Sequence, residues 1–158
     1  MRGISRTTCR DKMLHVRGEG GPIQPIDVVR AVYASHAERD TGGLLAVLDD
    51  DLVWWQAQSH PYANPDGAWH GTAEVVRHVV EPINNDWERF ITRVDDMLDA
   101  GDRIVVYGAY NGTFKATRRT IAAPVCVIYT VRDSRIVEFR QFVDTAQIRW
   151  AMGLTAVL

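Results

Sequence analysis

Four β-strand segments follow one another in the second half of the chain, and this pattern restricts the possible folds more than any other feature. β-Branched and aromatic side chains are concentrated in residues 89–98, 103–114, 121–131 and 135–144. Gly101 and Asp102 separate the first two segments, and Asp133 and Ser134 separate the last two. Such residues favour hairpin turns, so the pattern predicts an antiparallel meander.

The first half of the chain has mainly helical patterns. Apolar and aromatic side chains recur at helical spacing in residues 26–39, and Gly42 and Gly43 separate this helix from a second short one at 44–50. A strand is predicted at 51–58, a helix that ends near Pro82 at 72–83, and a last helix at 145–152. Helices that flank a meander indicate an α+β fold with helices on one face of the sheet. A strongly curved sheet leaves a pocket beneath them.

The chain of 158 residues fits one domain. Residues 1–24 are rich in Arg and Gly, so we expect a flexible N-terminal arm there and a single domain at 25–158.

Charge and composition exclude several classes of protein. The net charge of -2 gives no basic surface for nucleic acid, and no apolar run is long enough to span a membrane. Cys9 and Cys126 lie far apart in the sequence and are expected to be reduced thiols. We therefore expect a cytoplasmic protein whose partners are small molecules or copies of itself.

Three segments carry a resemblance to a known family, and they read AVLDDDLVWW, WHGTAEVV and TVRDSRIVEFRQFVDTAQI. Their order and separation resemble the nuclear transport factor 2-like superfamily, and within it the SnoaL-like and ketosteroid-isomerase-related proteins. The resemblance covers Ile26 to about Met152. It implies a cone-shaped fold, in which the curved antiparallel sheet wraps around the N-terminal helices and encloses a pocket, and a homodimer through the convex sheet face. The scaffold hosts several activities, so the function must be argued from the pocket.

Two mechanisms known on this scaffold do not transfer intact. In ketosteroid isomerases the general base lies near the end of the first strand, and the resemblance places Gln56 there. An amide cannot remove a proton from carbon. In limonene epoxide hydrolase an arginine and two aspartates hold the attacking water, and the matching positions here are Gly108, Tyr110 and Gln141.

Strand alternation indicates which side chains face the pocket. If Gln56 faces inward, so does Trp54; on the last strand Gln141 faces inward together with Phe139 and Val137. Asp144 follows that strand and precedes Gln147 by three residues, which is typical of a helix N-cap rather than of a catalytic acid.

Tyr33 and His36 lie on the buried face of the first helix. His36 has an ordinary pKa near neutrality and is the best candidate for an acid or base, although a structural role is the alternative. Tyr33 is either a donor to a developing oxyanion or a core residue. We take His36, Tyr33 and Gln141 as the candidate catalytic residues.

The remaining candidates are expected to bind the substrate. They are Trp54, Gln56, Tyr110, Tyr129, Phe139, Tyr62 and Trp69. Tyr62 and Trp69 belong to a proline-rich loop with His60 and His70, which we expect to act as a lid. The separation of His60 and His70 matches no recognised ligand spacing, so we expect neither a metal nor another cofactor.

The sequence leaves the function open between three possibilities. The first is a SnoaL-like enzyme that transfers protons in an isomerisation, cyclisation or dehydration of a hydrophobic, oxygenated substrate. The second is a non-catalytic ligand-binding or accessory dimeric protein. The third is a dimerisation module that uses Trp55, Tyr107 and Cys126.

Overall fold

The structure is a computed structural model that describes residues 21–155. The predicted arm lies outside the described residues except for its last four positions. Within residues 21–155, no helix is long and apolar enough to cross a membrane.

A curved six-stranded sheet is the centre of the fold. Its strands are β1 (Leu48–Trp55), β2 (Trp69–His70), β3 (Trp87–Ala100), β4 (Arg103–Phe114), β5 (Thr120–Arg132) and β6 (Arg135–Val143). Their order across the sheet is β2-β1-β6-β5-β4-β3. The predicted antiparallel meander is confirmed for β3 to β6. The sheet is not wholly antiparallel, because β1 pairs in parallel with β6.

Helices pack beside this sheet and complete the predicted α+β fold. They are α1 (Pro25–Ala37), α2 (Thr41–Leu45), α3 (Gly71–Val75), a π-helical turn (Val76–Val80), α4 (Glu81–Asp86) and α5 (Thr145–Ala151). Val28, Val29 and Val32 are buried on the inner face of α1 and belong to the main hydrophobic core. The core therefore fixes α1 and, with it, the direction of its remaining side chains.

The first strand begins earlier than the sequence predicts. Leu48 pairs with Ile136 of β6, and the Ile136 amide donates to the Val47 carbonyl at 2.8 Å. The strand therefore includes residues 48–50, which the sequence predicts as part of the second helix, and α2 ends at Leu45. Tertiary pairing thus overrides the local helical pattern.

Pro82 does not end its helix, which continues to Asp86. The π-helical turn comes immediately before α4, and Pro82 occupies the first turn of α4. Proline has no amide hydrogen, and a first turn tolerates its absence because that hydrogen has no partner within the helix. The change of hydrogen-bond pattern allows the chain to remain helical through the proline.

A β-bulge helps to curve the sheet. The register between β3 and β4 shifts between Val94 and Asp96, which leaves Asp95 as an extra residue opposite Gly108 and Tyr107. A side chain at Gly108 would overlap the Arg93 carbonyl, so the close approach of the two strands requires glycine here. Bulges bend a strand and increase its twist, and this one contributes to the concave face that α1 covers.

Asp144 caps α5, as predicted. Its Oδ1 accepts a hydrogen bond from the Gln147 amide at 3.2 Å, and the Gln147 side chain donates to Oδ2 at 3.0 Å. Ile148 and Ala151 of this helix are buried, so the cap fixes a helix that closes one side of the core.

Replacing Asp144 with Ala removes both hydrogen bonds and is expected to lower the free energy of unfolding by about 1 kcal/mol. Urea denaturation measures this change. Asp51→Ala, at an exposed position of β1, is the matched control and should change stability by less than about 0.5 kcal/mol. Equal effects of the two substitutions would contradict a capping role.

Candidate functional site

A cavity of about 410 Å³ lies between α1 and the concave face of the sheet. This volume is within the range of sites that bind drug-sized molecules. The aromatic part of its lining comes from both helix and strands and consists of Tyr33, Trp54, Trp87, Phe90, Tyr110, Tyr129 and Phe139. The cavity is therefore suited to a hydrophobic ligand that contains rings.

Most of the residues selected from the sequence meet in this cavity. They are Tyr33, His36, Trp54, Gln56, Tyr110, Tyr129, Phe139 and Gln141. Val137 is not in the lining, because a register shift between Thr130 and Val131 changes the phase of β6 and buries Ile136 instead.

Tyr62 and Trp69 do not line the cavity, which corrects their predicted place in the site. The Tyr62 hydroxyl donates to Asp86 Oδ2 at 2.8 Å and accepts from Trp87 Nε1 at 3.2 Å. Trp69 donates to the Tyr62 carbonyl and stacks on His78. These contacts hold the loop against the helical segment, and the side chains of Tyr62 and Trp69 lie outside the cavity lining.

Two tyrosines form a hydroxyl pair in the cavity. The hydroxyl oxygens of Tyr33 and Tyr129 are 2.9 Å apart, and their rings meet edge to face. Burial raises the pKa of both phenols, and the nearby Tyr110 raises it further. Both hydroxyls are therefore protonated near neutral pH. One donates to the other, so one hydrogen of the pair remains for a ligand.

Gln141 and Tyr110 form a second polar pair. Gln141 Nε2 donates to the Tyr110 hydroxyl at 3.0 Å, and Gln141 Oε1 accepts from the Ala57 amide at 3.4 Å. Burial raises the pKa of Tyr110 to about 12, although the Gln141 hydrogen bond opposes this rise. Since Tyr110 accepts from Gln141, its own hydrogen is available to a ligand oxygen.

His36 lies one helical turn from Tyr33 on the same face of α1. Burial lowers the pKa of His36, and the neighbouring Phe90 carbonyl acts in the opposite direction. The ring is therefore neutral near pH 7, which places a basic nitrogen in the cavity one helical turn from a phenol donor.

His60 also lines the cavity, although the sequence predicts a place in a lid for it. It is buried, and its Nδ1 accepts a hydrogen bond from the Tyr62 amide at 3.2 Å. Burial lowers the pKa of His60 to about 4. Nothing periodic in the sequence marks this residue, because two successive turns rather than a helix or strand direct it inward.

Two polar atoms of the lining have no hydrogen-bond partner among the described residues. They are Trp54 Nε1 and Gln56 Oε1. Trp54 itself stacks on Phe139 with ring centroids 3.6 Å apart. An unpaired buried donor and acceptor are costly, and a bound ligand with oxygen atoms and hydroxyl groups can satisfy both after a small side-chain movement.

Charged side chains are confined to the more exposed part of the lining. Lys115 Nζ donates to the carbonyls of Asn84 and Asn85, and Arg39 donates to the Glu88 carbonyl. Lys115 thus reaches the cavity from the turn between β4 and β5. Within residues 21–155, no group of three or more His, Cys, Asp or Glu side chains could hold a metal ion.

The low pKa of His60 predicts a specific dependence of stability on pH. An unfolded histidine has a pKa near 6.5, so between pH 6.5 and about 4 the unfolded chain binds more protons than the folded one. The free energy of unfolding therefore falls as the pH is lowered through this window, and the part due to His60 is about 2 to 3 kcal/mol between pH 7 and 4.5.

His60→Gln should lose that part of the dependence, which urea denaturation at the two pH values measures. His70→Gln, at an exposed histidine, should keep the wild-type dependence. Parallel pH profiles for the wild type and His60→Gln would show that His60 is not neutral and buried.

Comparison with known proteins agrees with this architecture. The sequence pattern of the SnoaL-like domain matches residues 29–139. No curated protein matches the chain. Among solved structures, an NTF2-like protein of Burkholderia thailandensis E264 is 27% identical with a TM-score of 0.77, over 83% of this chain and 98% of that one.

Two further structures share the fold. An NTF2-like protein of Burkholderia pseudomallei K96243 is 24% identical, with a TM-score of 0.74 over 85% of this chain and all of that one. A structure assigned to the SnoaL-like polyketide cyclases, from Jannaschia sp. CCS1, is 14% identical, with a TM-score of 0.70 over 89% of this chain and all of that one. The match over residues 29–139 covers more than half of the sequence, and the chain therefore belongs to the SnoaL-like domain family.

Proposed function

We propose that the chain is a SnoaL-like small-molecule enzyme that transfers a proton on a hydrophobic, oxygenated substrate, in an isomerisation, cyclisation or dehydration. The observation that carries the proposal is the neutral His36 ring in a cavity with a largely aromatic wall, one helical turn from Tyr33 and its partner Tyr129. General bases are most effective when their pKa is close to the working pH and their lone pair is free. The family includes polyketide cyclase-like structures, which agrees with this class of reaction.

The proposed base is His36. The Phe90 carbonyl lies close to the ring, so in this scheme the nitrogen on that side carries the hydrogen and the other nitrogen supplies the lone pair. This nitrogen takes a proton from a carbon next to a substrate carbonyl, and the electron pair of the C–H bond moves onto the carbonyl oxygen. Return of the proton to another carbon gives an isomerisation. In a dehydration, the β-hydroxyl takes this proton from His36 and leaves as water. In a cyclisation, the carbon attacks a second carbonyl, whose oxygen takes the proton from His36.

The proposed oxyanion donors are the tyrosine hydroxyls. Tyr110 keeps its hydrogen free because it accepts from Gln141, and the Tyr33–Tyr129 pair offers one more. Neutral donors that are already in place stabilise the developing negative charge without reorganisation of solvent. Gln141 acts on Tyr110 in this scheme and is a positioning residue.

A binding protein without catalysis is the second candidate. It is favoured by the lining itself, in which the only carboxylates among the described residues are Asp40 and Glu88, and neither is buried. Many acid–base enzymes use a buried carboxylate with a shifted pKa. If this alternative holds, the cavity binds aromatic compounds but accelerates no proton transfer.

A generic carbon acid distinguishes the two functions without knowledge of the natural substrate. In 5-nitrobenzisoxazole, a base removes the C–H proton, the N–O bond breaks, and a nitrile and a coloured phenolate form. We expect turnover by the wild type, and a loss of kcat/KM of roughly 100-fold or more in His36→Gln, because an amide has no basic nitrogen. Since burial lowers the pKa of His36, kcat/KM should rise with pH and level off with a midpoint below 6.5.

His78→Gln is the matched control, because His78 stacks on Trp69 and is outside the cavity lining. It should retain wild-type kinetics. Wild-type turnover in His36→Gln would reject His36 as the base, and binding of the compound without any turnover would favour the second candidate.

We also propose that two copies associate through the convex sheet face. Tyr107, Cys126 and Phe142 lie side by side on β4, β5 and β6, on the face opposite the cavity, and Tyr107 and Phe142 are exposed. A row of apolar side chains on an open sheet face is a common contact between protein copies.

Phe142→Asp places a charge in the centre of this row and is expected to convert a dimer into a monomer. Size-exclusion chromatography with light scattering measures the mass. Ile23→Asp is the control at an equally exposed residue away from the sheet and should leave the mass unchanged. A wild-type monomer, or a Phe142→Asp dimer of undiminished stability, would contradict the proposed interface.

A further inference from the structure

We propose that His60 is a second polar anchor of the cavity, which donates a hydrogen bond from Nε2 to an acceptor oxygen of the ligand. The proposal rests on the proposed use of the cavity as a small-molecule site. It adds a requirement on the ligand, namely an acceptor oxygen remote from the carbon that exchanges its proton.

The hydrogen bond at Nδ1 determines the tautomer of His60. The Tyr62 amide donates to Nδ1 at 3.2 Å, so Nδ1 holds a lone pair and no hydrogen. A neutral ring must then carry its hydrogen on Nε2. Protonation of Nδ1 would set two N–H groups against each other, which agrees with the low pKa that burial gives this histidine. His60 is thus a donor at Nε2 and cannot act as a base there.

The backbone holds the ring in place. The His60 amide donates to the Ala57 carbonyl at 3.0 Å, and the His60 carbonyl accepts from the Ala63 amide at 2.9 Å. Arg149 of α5 donates to the Ser59 carbonyl at 3.3 Å and ties this loop to the end of the chain. A donor fixed in this way needs little reorganisation to bind a ligand.

Nε2 is available to the cavity. His60 is 5% exposed and belongs to the lining, and the Tyr62 amide occupies Nδ1, which leaves Nε2 as the ring nitrogen that a ligand can contact.

His60 and His36 lie next to strands that are four positions apart in the sheet. His60 follows β1, whereas His36 lies beside Phe90 of β3, and β6, β5 and β4 separate the two strands. Four strand spacings correspond to about 19 Å measured along the sheet. Because the sheet is curved, the straight distance across the cavity is shorter. A ligand that meets both histidines is therefore extended. The stacked pair of Trp54 and Phe139 forms a flat apolar wall in the same cavity, which suits fused rings.

The ligand class that fits is an extended, hydrophobic ring compound with oxygen atoms at both ends. At one end a carbonyl oxygen accepts from the tyrosine hydroxyls next to His36. At the other end a carbonyl or ether oxygen accepts from His60. The two histidines thus differ in role, because His36 offers a lone pair and His60 offers a hydrogen.

Two probes of nearly equal shape test the anchor. 2,6-Diacetylnaphthalene has a carbonyl at both ends, and 2-acetyl-6-ethylnaphthalene has one carbonyl replaced by a methylene group. Quenching of tryptophan fluorescence gives the affinity of each. We expect the wild type to bind the diketone roughly 3- to 10-fold more tightly, as one neutral hydrogen bond provides.

Two variants at the same position make the comparison specific. His60→Gln places an amide N–H near the position of Nε2 and should keep part of the preference, whereas His60→Leu should abolish it. Equal affinities in the wild type, or an undiminished preference in His60→Leu, would overturn the proposal. Failure of both probes to bind would also overturn it, because the cavity has room for two fused rings.

Nitrogen NMR of histidine-labelled protein is an independent check at pH 6. We expect the His60 ring to be neutral with its hydrogen on Nε2; a hydrogen on Nδ1 or a charged ring would reject the anchor. Neither measurement depends on turnover. The two proposals can therefore fail independently. The His60 measurements test the anchor, whereas turnover of 5-nitrobenzisoxazole by the wild type and by His36→Gln tests the catalysis.

Discussion

Burial of the titratable side chains around the cavity is the constraint on which the rest of the site depends. Burial disfavours charge, so it lowers the pKa of His36 and His60 and raises that of the three tyrosines. Every titratable group deep in the cavity is therefore neutral near pH 7. The site offers hydrogen-bond donors and acceptors without net charge, and such a site is suited to neutral oxygenated molecules rather than to ions.

The shape of the sheet explains why these groups meet. The bulge at Asp95 bends β3 against β4, and Gly108 permits the close contact of the two strands. The valines of α1 pack against one part of the concave face and leave the other part open. Tyr33 and His36 lie on the same helix face, so the packing that fixes α1 also directs both toward the cavity.

The sequence predicts well those parts of the site that lie on regular elements. Side chains alternate along a strand with a fixed period, so once the resemblance had placed Gln56 and Gln141, strand phase assigned Trp54 and Phe139 to the cavity as well. His60 could not be assigned to the cavity in this way. It lies in consecutive turns next to Ser59, which adopts a positive φ, and turns have no regular side-chain period. Long-range hydrogen bonds of Tyr62 and Trp69 likewise have no local pattern, so their orientation could not be predicted.

The parallel pairing of β1 with β6 has a consequence for folding. Strands β3 to β6 join neighbours through short hairpins, whereas Leu48 must find Ile136 across most of the domain. Closing so long a segment costs more conformational entropy than forming hairpins, so β1 is expected to dock after the meander has formed. Trp54, Gln56 and His60 arrive with β1 and the loop that follows it. The cavity wall is therefore completed late, and a ligand that binds it would hold the first strand in place.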